Sequence, residues 1–573
     1  MNARRKRLTC AAAVALAYAL AVTAVFQYHY FVNDDLIIRD ILSGRYSGVA
    51  DAHICNIIYP FAYLVRLAYQ IFPAVDIWGV LMVGLNYICL FAVLERSLGL
   101  VKKRYLLTIG CVLVLFTCAA LYHICFFTFT ATGTVCAVTA LFLYVTTPRE
   151  KKGMGTHLPA LLMVLPFFGV WLVYLFLTET EKRKNAFLLL RPVLVLGVCC
   201  AVLWCGHLQA FSGAEWQDFL EFRDLRKSVH DFSGYPSYEE NKGFYDDLGI
   251  SYEEYLSVEN KNLGGGNTVL DYAVGIRSIL AQVAEQDRAD RGAEDRFSGG
   301  FRSIAYLLNH TIVSGRHNLA LGLLLTVCLS VLLVRRKEWL LLAALYTGVA
   351  GVLLEILLFA WGGHISWVVL RMLTALMILW PGCVGAHVLG SLEKQAALLP
   401  AAGRTRWYAA GLCACMAMGC LTAGSWIWQI RADGSVYALR SDATQELYRY
   451  CKADPDHTYF QPAYAISDHT DTLSRFTTFD CSFNNLVILG GWNAFSPEYR
   501  QSLTAMGLEY ETIEEAILNQ DNVRVISEKT YISSMLGYFQ WKYGERLRWE
   551  ITDTIDTEGL GTLCVYHFQL LPS

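Results

Sequence analysis

Apolar runs alternate with short basic clusters along this chain, and the runs repeatedly reach the roughly 20 residues an α-helix needs to cross a bilayer. The pattern predicts spanning helices over residues 8–31, 77–97, 105–124, 130–147, 186–208, 319–334, 338–360, 364–390 and 406–430. Two further segments, 54–72 and 157–177, are apolar but interrupted, so the chain crosses 11 times if both span and nine times if neither does. The basic clusters choose between these topologies. With nine crossings, Arg4–Arg7, Lys102–Arg104, Arg149–Lys152, Lys182–Lys184, Arg335–Lys337 and Arg404–Arg406 all face the cytoplasm, as the positive-inside rule requires. Segment 54–72 then lies on the outer surface as an amphipathic helix, and 157–177 turns back on itself near Pro166 and Gly169.

Both topologies put the N-terminus in the cytoplasm and leave three regions outside. These are a first loop (32–53 in both, 32–76 with nine crossings), a long loop over 209–318 and a C-terminal region from 431. The expected architecture is mainly α: a multi-pass cell-membrane protein with about 9–11 spanning helices over 1–430, and a small extracytoplasmic α/β domain over 431–573. In that domain, strands are expected at Val487–Leu489, Val523–Ile526, Leu547–Ile551 and Leu563–Phe568. Helices are expected to open at Ser496–Pro497 and at a capping box of Thr512 with Glu515. Gly490, Gly491 and Trp492 follow the first of these strands and read as a turn.

Composition agrees with a membrane protein: 55% of the 573 residues are hydrophobic and the mean hydropathy is +0.37. The net charge of −3 says nothing useful about partners, and no basic block with interleaved aromatics suggests nucleic acid, so no nucleic-acid partner is expected. The 18 cysteines fall mostly in apolar runs, where they act as small hydrophobes, and none has zinc or iron–sulfur spacing. Cys451, Cys481 and Cys564 leave room for one disulfide in the polar C-terminal region.

Two constellations carry candidate chemistry. The first is Asn33-Asp34-Asp35 at the outer mouth of the first helix, where a carboxylate pair would take a proton from an acceptor hydroxyl or hold a divalent cation against a lipid phosphate. The plainer alternative is that Asn33 ends one helix and Asp35 caps another beginning at Leu36. The second is His364, Trp367 and Arg371, spaced i, i+3, i+7 on one helix face, with Arg371 about 10–12 Å inside the helix. An arginine at that depth needs a partner: either Glu355 at matching depth, or a lipid phosphate. In the long loop, twelve carboxylates between Glu215 and Glu259 accompany Tyr235, Tyr238, Tyr245, Tyr252 and Tyr255. These tyrosines would stack on sugar faces, or the loop is simply a solvated acidic segment; Ser251 with Glu254 starts a helix at Tyr252.

With these motifs the chain resembles the GT-C superfamily of membrane glycosyltransferases, in which one helix leads into a long first external loop with an acidic motif at its start and surface-lying helices after it. Asn33-Asp34-Asp35, then Asp51-Ala-His53 leading into 54–72, look like that arrangement. More narrowly, Ser43-Gly44-Arg45-Tyr46 and Tyr245-Asp246-Asp247-Leu248-Gly249-Ile250-Ser251, with Tyr235-Pro236-Ser237-Tyr238, are similar to motifs of a group of bacterial multi-pass membrane proteins. The resemblance implies a catalytic Asp34 or Asp35, with Mg²⁺ or Mn²⁺ as an optional partner of the pair. It also implies substrate contacts at His53, His364, Trp367, Tyr235 and Tyr238, and a carrier-phosphate contact at Arg371. Segment 157–177 departs from the family, having no basic residue near its end.

The implied activity is inverting transfer of a sugar from a polyprenyl-phosphate donor to a cell-envelope glycan or lipid, a step in polysaccharide biosynthesis on the external face. The alternative is a non-enzymatic transporter or flippase for an envelope lipid or polysaccharide, which would need charges through the bilayer centre; Glu355 and Arg371 are nearly all there are. A scaffolding protein would leave Asp34 and Arg371 without a role.

Overall fold

A computed structural model describes residues 3–101, 104–146, 161–178, 182–227, 237–247, 249–259, 281, 316–361, 367–396, 405–463, 465, 469–473, 478–482 and 485–572. It is mostly helical, at 72%. The chain divides into two units, each discontinuous in sequence. One comprises Met1–Tyr28, Gly79–Leu203 and Ser298–Gly434, the other His29–Trp78, Trp204–Phe297 and Ser435–Ser573.

Among the described residues, eight helices are long and apolar enough to cross a membrane: Arg4–Val25, Ile77–Leu100, Tyr105–Cys125, Phe129–Thr146, Arg316–Arg336, Trp339–Leu358, Val369–Ser391 and Ala410–Ala453. A ninth arises if Gly197–Ala210 and Ala214–Lys227, bent by 107° at their junction, count as one span. Each of the eight overlaps a span expected from the apolar runs. Segment 157–177 differs: Leu161–Thr178 is a single helix through Pro166 and Gly169 rather than a turn. Pro166 costs the helix one backbone bond, and burial of Phe167, Trp171 and Leu175, spaced four residues apart on one face, offsets that loss.

The core of the first unit gathers Phe167, Trp171 and Trp380 with Leu345, Leu341 and Leu376. Trp380 donates its indole N–H to the Leu345 carbonyl at 3.0 Å. Gly348 lets the indole lie there: a Cβ on it would stand 2.2 Å from the ring nitrogen.

In the second unit, the C-terminal strands β1 (Thr458–Pro462), β2 (Leu486–Leu489), β3 (Val523–Ser527), β4 (Leu547–Thr557) and β5 (Gly561–Leu570) form one sheet in the order β2-β1-β3-β5-β4. Strand β1 pairs parallel with β2 and β3, whereas β3–β5 and the β4–β5 hairpin are antiparallel. All five residues of β1 are buried, so it shows no polar alternation, which is why the sequence pattern passes over it. The helix Pro497–Ala505 opens as expected, with the Ser496 side chain accepting from the Tyr499 amide. Thr512 precedes Ile513–Asn519 without a side-chain cap, because a 3₁₀ turn over Tyr510–Thr512 takes that place. All 18 cysteines are free thiols, so the C-terminal disulfide does not form.

The long loop contributes to the same core. Phe219 and Phe222 of the helix Ala214–Lys227, and Tyr245 and Tyr255, pack with Phe460, Val487, Tyr499 and Phe568. The Ser251–Glu254 capping box is made in full: the Ser251 amide donates to Glu254 Oε2 at 2.8 Å, and Ser251 Oγ accepts from the Glu254 amide.

Candidate functional site

The first loop begins with an 11-residue helix, Asn33–Ser43. It starts at Asn33 after an extended Val32, so Asp35 sits inside the first turn rather than capping a helix from Leu36. Asp34 and Asp35 there complement the positive helix end. The apolar residues Leu36, Ile37, Ile38, Ile41 and Leu42 are buried. Gly44 ends the helix at φ +88°, and a Cβ on it would stand 2.9 Å from the Ala50 amide nitrogen, so only glycine fits this turn.

The two aspartates have different surroundings. Asp35 is fully buried, and Trp78 Nε1 donates to its Oδ1 at 2.9 Å. Asp34 is half-buried and reaches the surface. One turn beyond Asp35, on the same face, is Arg39, also buried.

Arg39 is the centre of an acidic cluster. Its Nε donates to Asp40 Oδ1 at 2.9 Å and its Nη1 to Asp471 Oδ2 at 2.5 Å, with Asp76 Oδ2 at 3.7 Å. The guanidinium lies 5.0 Å from the ring centres of both Tyr30 and Phe479. The carboxylates are themselves held. Tyr30 and Tyr69 hydroxyls donate to Asp76 at 2.8 and 3.2 Å, and the Thr472 amide donates to Asp471 at 2.8 Å. Burial acts to depress the Arg39 pKa, but Asp40, Asp471 and Asp76 outweigh it and hold the group well above its ordinary value. The guanidinium therefore stays charged, and three carboxylates face one cation.

Sequence reasoning found Asp34 and Asp35 but missed Arg39, Asp76 and Asp471. A signal existed for Arg39, a charge four residues from Asp35 on an otherwise apolar helix face. Nothing local marked Asp471, which is 432 residues away.

The other sequence candidates are placed as follows. His53 lies in the second unit, with Nδ1 2.6 Å from Asp51 Oδ1 and its ring stacked 4.8 Å from Trp216. Tyr238 packs against Tyr245, Tyr252 and Tyr255, with ring centres 5.3 to 5.7 Å apart, so its ring is committed to the aromatic core. Tyr235 and His364 lie outside the described residues. Trp367 opens the helix Trp367–Ala396, and its side chain is likewise outside them.

Arg371 belongs to the first unit, where its guanidinium lies 4.2 Å over the Tyr122 ring and Tyr122 donates to Asp433 at 2.8 Å. Among the described residues no ion pair joins it to Glu355, whose Oε2 has no hydrogen-bond partner there. Depth along two helices sets height but not the facing direction of the side chains, which is why the anticipated pairing fails.

Among the described residues, one set of three His, Cys, Asp or Glu side chains is close enough to share a metal ion: Asp51, His53 and Glu498. Asp34 and Asp35 do not belong to it.

No protein-family model matches the chain, and neither a curated protein nor a solved structure does.

Proposed function

We propose that the chain is a membrane glycosyltransferase of GT-C type that moves a sugar from a polyprenyl-phosphate donor to a hydroxyl of a cell-envelope glycan or lipid on the external face. The observation that carries this reading is the division of labour within the acidic motif. Asp35 is locked to Trp78, while its neighbour Asp34 stays accessible on a helix anchored through Arg39. Asp34 is then the general base: it takes the proton of the acceptor hydroxyl as that oxygen bonds the anomeric carbon. The bond from that carbon to the phosphate oxygen breaks, and polyprenyl phosphate leaves with the electron pair. A positioned base of this kind contributes about 10²–10⁴ in rate. Asp35 and Arg39 hold the helix and so fix where Asp34 points.

Membrane topology supports the reading. Described residues of the first loop, of the long loop before residue 260 and of the C-terminal region fall in one unit, which supports reading them on one side of the bilayer, with an even number of crossings between each and the next. Between residues 79 and 203 lie Ile77–Leu100, Tyr105–Cys125, Phe129–Thr146, Leu161–Thr178 and Lys182–Ala210. On that reading one of these five does not traverse, and the 18-residue Leu161–Thr178 is the shortest by rise along the axis together with Phe129–Thr146. Leu161–Thr178 is the better choice, because leaving it on one side keeps all the basic clusters cytoplasmic.

The test is a deletion strain whose surface glycans are profiled before and after complementation. Loss of one sugar on deletion, restored by the wild-type chain but not by Asp34→Asn at equal expression, is the expected result. Full restoration by Asp34→Asn would remove the base and the reading with it.

A further inference from the structure

Away from the Arg39 cluster, the second unit holds a group the transfer chemistry does not use. Asp51 and His53 sit just before the helix Tyr59–Ile71, and Glu498 sits in the first turn of Pro497–Ala505. One ligand atom from each lies within 4.8 Å of the other two. Asp51 Oδ1 is occupied by the amides of Ala52 and His53, at 2.5 and 2.9 Å, and by His53 Nδ1. His53 Nδ1 and Asp51 therefore already face one another, and an ion taking both as ligands would displace the proton between them. Trp216, Tyr59 and Phe211 wall the ring, with centres 4.8, 4.8 and 5.3 Å away.

Glu498 supplies the independent sign of a missing ligand. It is 2% exposed, and its Oε1 finds no hydrogen-bond donor among the described residues. A buried carboxylate oxygen without a donor is costly.

We infer that Asp51, His53 and Glu498 bind one divalent transition-metal ion of the zinc class, tying the first loop to the C-terminal region. One imidazole with two carboxylates suits zinc better than calcium or magnesium, which prefer six or more oxygens or several retained waters. Three protein ligands leave a fourth position for water. The site is independent of the transfer reaction proposed above, so either can fail without the other.

The experiment uses the full chain in detergent, without a polyhistidine tag, stripped by chelator and titrated with Zn²⁺ alone. One equivalent is expected to bind, and Glu498→Gln and His53→Gln are each expected to weaken it by more than about 100-fold, the upper end of what outer-shell changes alone produce. Glu558→Gln, on the exposed surface, is expected to leave binding unchanged. Should Glu498→Gln fail to fold, the wild-type chain still decides: Zn²⁺ is expected to protect His53 from diethyl pyrocarbonate, read at that residue by mass spectrometry. Absence of stoichiometric zinc, equal binding by the Gln variants, or unprotected His53 in the zinc-loaded chain would each overturn the inference. The first of these would make the group two carboxyls sharing a proton.

Discussion

Replacing Arg39 by methionine keeps an unbranched apolar stem and removes the charged guanidinium, leaving Asp40, Asp76 and Asp471 to face one another in a buried site. The distances set the scale. Arg39 makes contacts at 2.9 and 2.5 Å with two of the carboxylates and lies 3.7 Å from the third, with its side chain 1% exposed. At an effective dielectric of about 20, one such pair near 3 Å is worth about 5 kcal/mol before desolvation. Desolvation offsets much of that, and removal of one partner from a buried pair costs about 3–5 kcal/mol. The stacking of Arg39 on Tyr30 and Phe479 adds about 1–2 kcal/mol to the loss. Arg39→Met is therefore expected to destabilise the protein by about 4–7 kcal/mol. Adding Asp471→Asn should recover part of the loss, because one of the stranded charges is gone. Arg39→Lys should fall between, since a compact ammonium cannot bridge Asp40 and Asp471 as the planar fork does. Pulse proteolysis in detergent reads these differences as free energies. A loss below about 1 kcal/mol for Arg39→Met, the value of a solvated surface pair, would refute a dry ion cluster at this position.

Burial depresses the pKa of His469, 3% exposed, to about 4 from 6.5. The unfolded chain then binds more protons between pH 6.5 and 4, so this group's contribution is full above pH 6.5 and is lost as pH falls towards 4, by about 3 kcal/mol in all. The gap in Tm between wild type and His469→Gln, which keeps a polar partner for Gln461, should narrow or invert over that window; parallel curves would contradict it. In the first unit, Glu355→Gln is expected to change stability by less than about 1 kcal/mol, because the carboxylate has no ion-pair partner among the described residues. A loss of about 3–5 kcal/mol in thermal unfolding would instead reveal a pair with Arg371.

Much of the architecture was legible in the apolar runs, since a helix that must satisfy its backbone within a bilayer has few other ways to be written. Eight helices overlap expected spans, and the capping box at Ser251 and the helix opening at Ser496 formed as local chemistry dictates. What failed was non-local. Strand β1 is buried along its whole length and carries Thr458 and Gln461, so neither alternation nor an apolar run marks it. Among the tyrosines of the long loop, Tyr245 and Tyr255 are core and Tyr238 packs against them half-buried, because acidic neighbours on the other side of the short helices carrying Tyr245 and Tyr255 supply the wet face. Asp34 was readable as chemistry, but its distinction from Asp35 rests on Trp78, 43 residues away. Glu498 opens an ordinary-looking helix, and only the fold brings it to Asp51 and His53.

Sugar transfer by the purified chain, reconstituted in liposomes with polyprenyl-phosphate-linked sugars and envelope glycan acceptor, tests the proposed activity most directly. Release of polyprenyl phosphate should match formation of the glycosylated acceptor in the wild-type chain. Asp34→Asn should lower that rate by about 10²–10⁴ while leaving thermal unfolding unchanged, since the side chain is half-buried and its replacement keeps the shape. Asp35→Asn, in contrast, should lower stability, because it alters the buried acceptor of the Trp78 indole. Undiminished transfer by a folded Asp34→Asn chain, or no transfer from any polyprenyl-phosphate sugar by the wild type, would contradict a glycosyltransferase built on this acid.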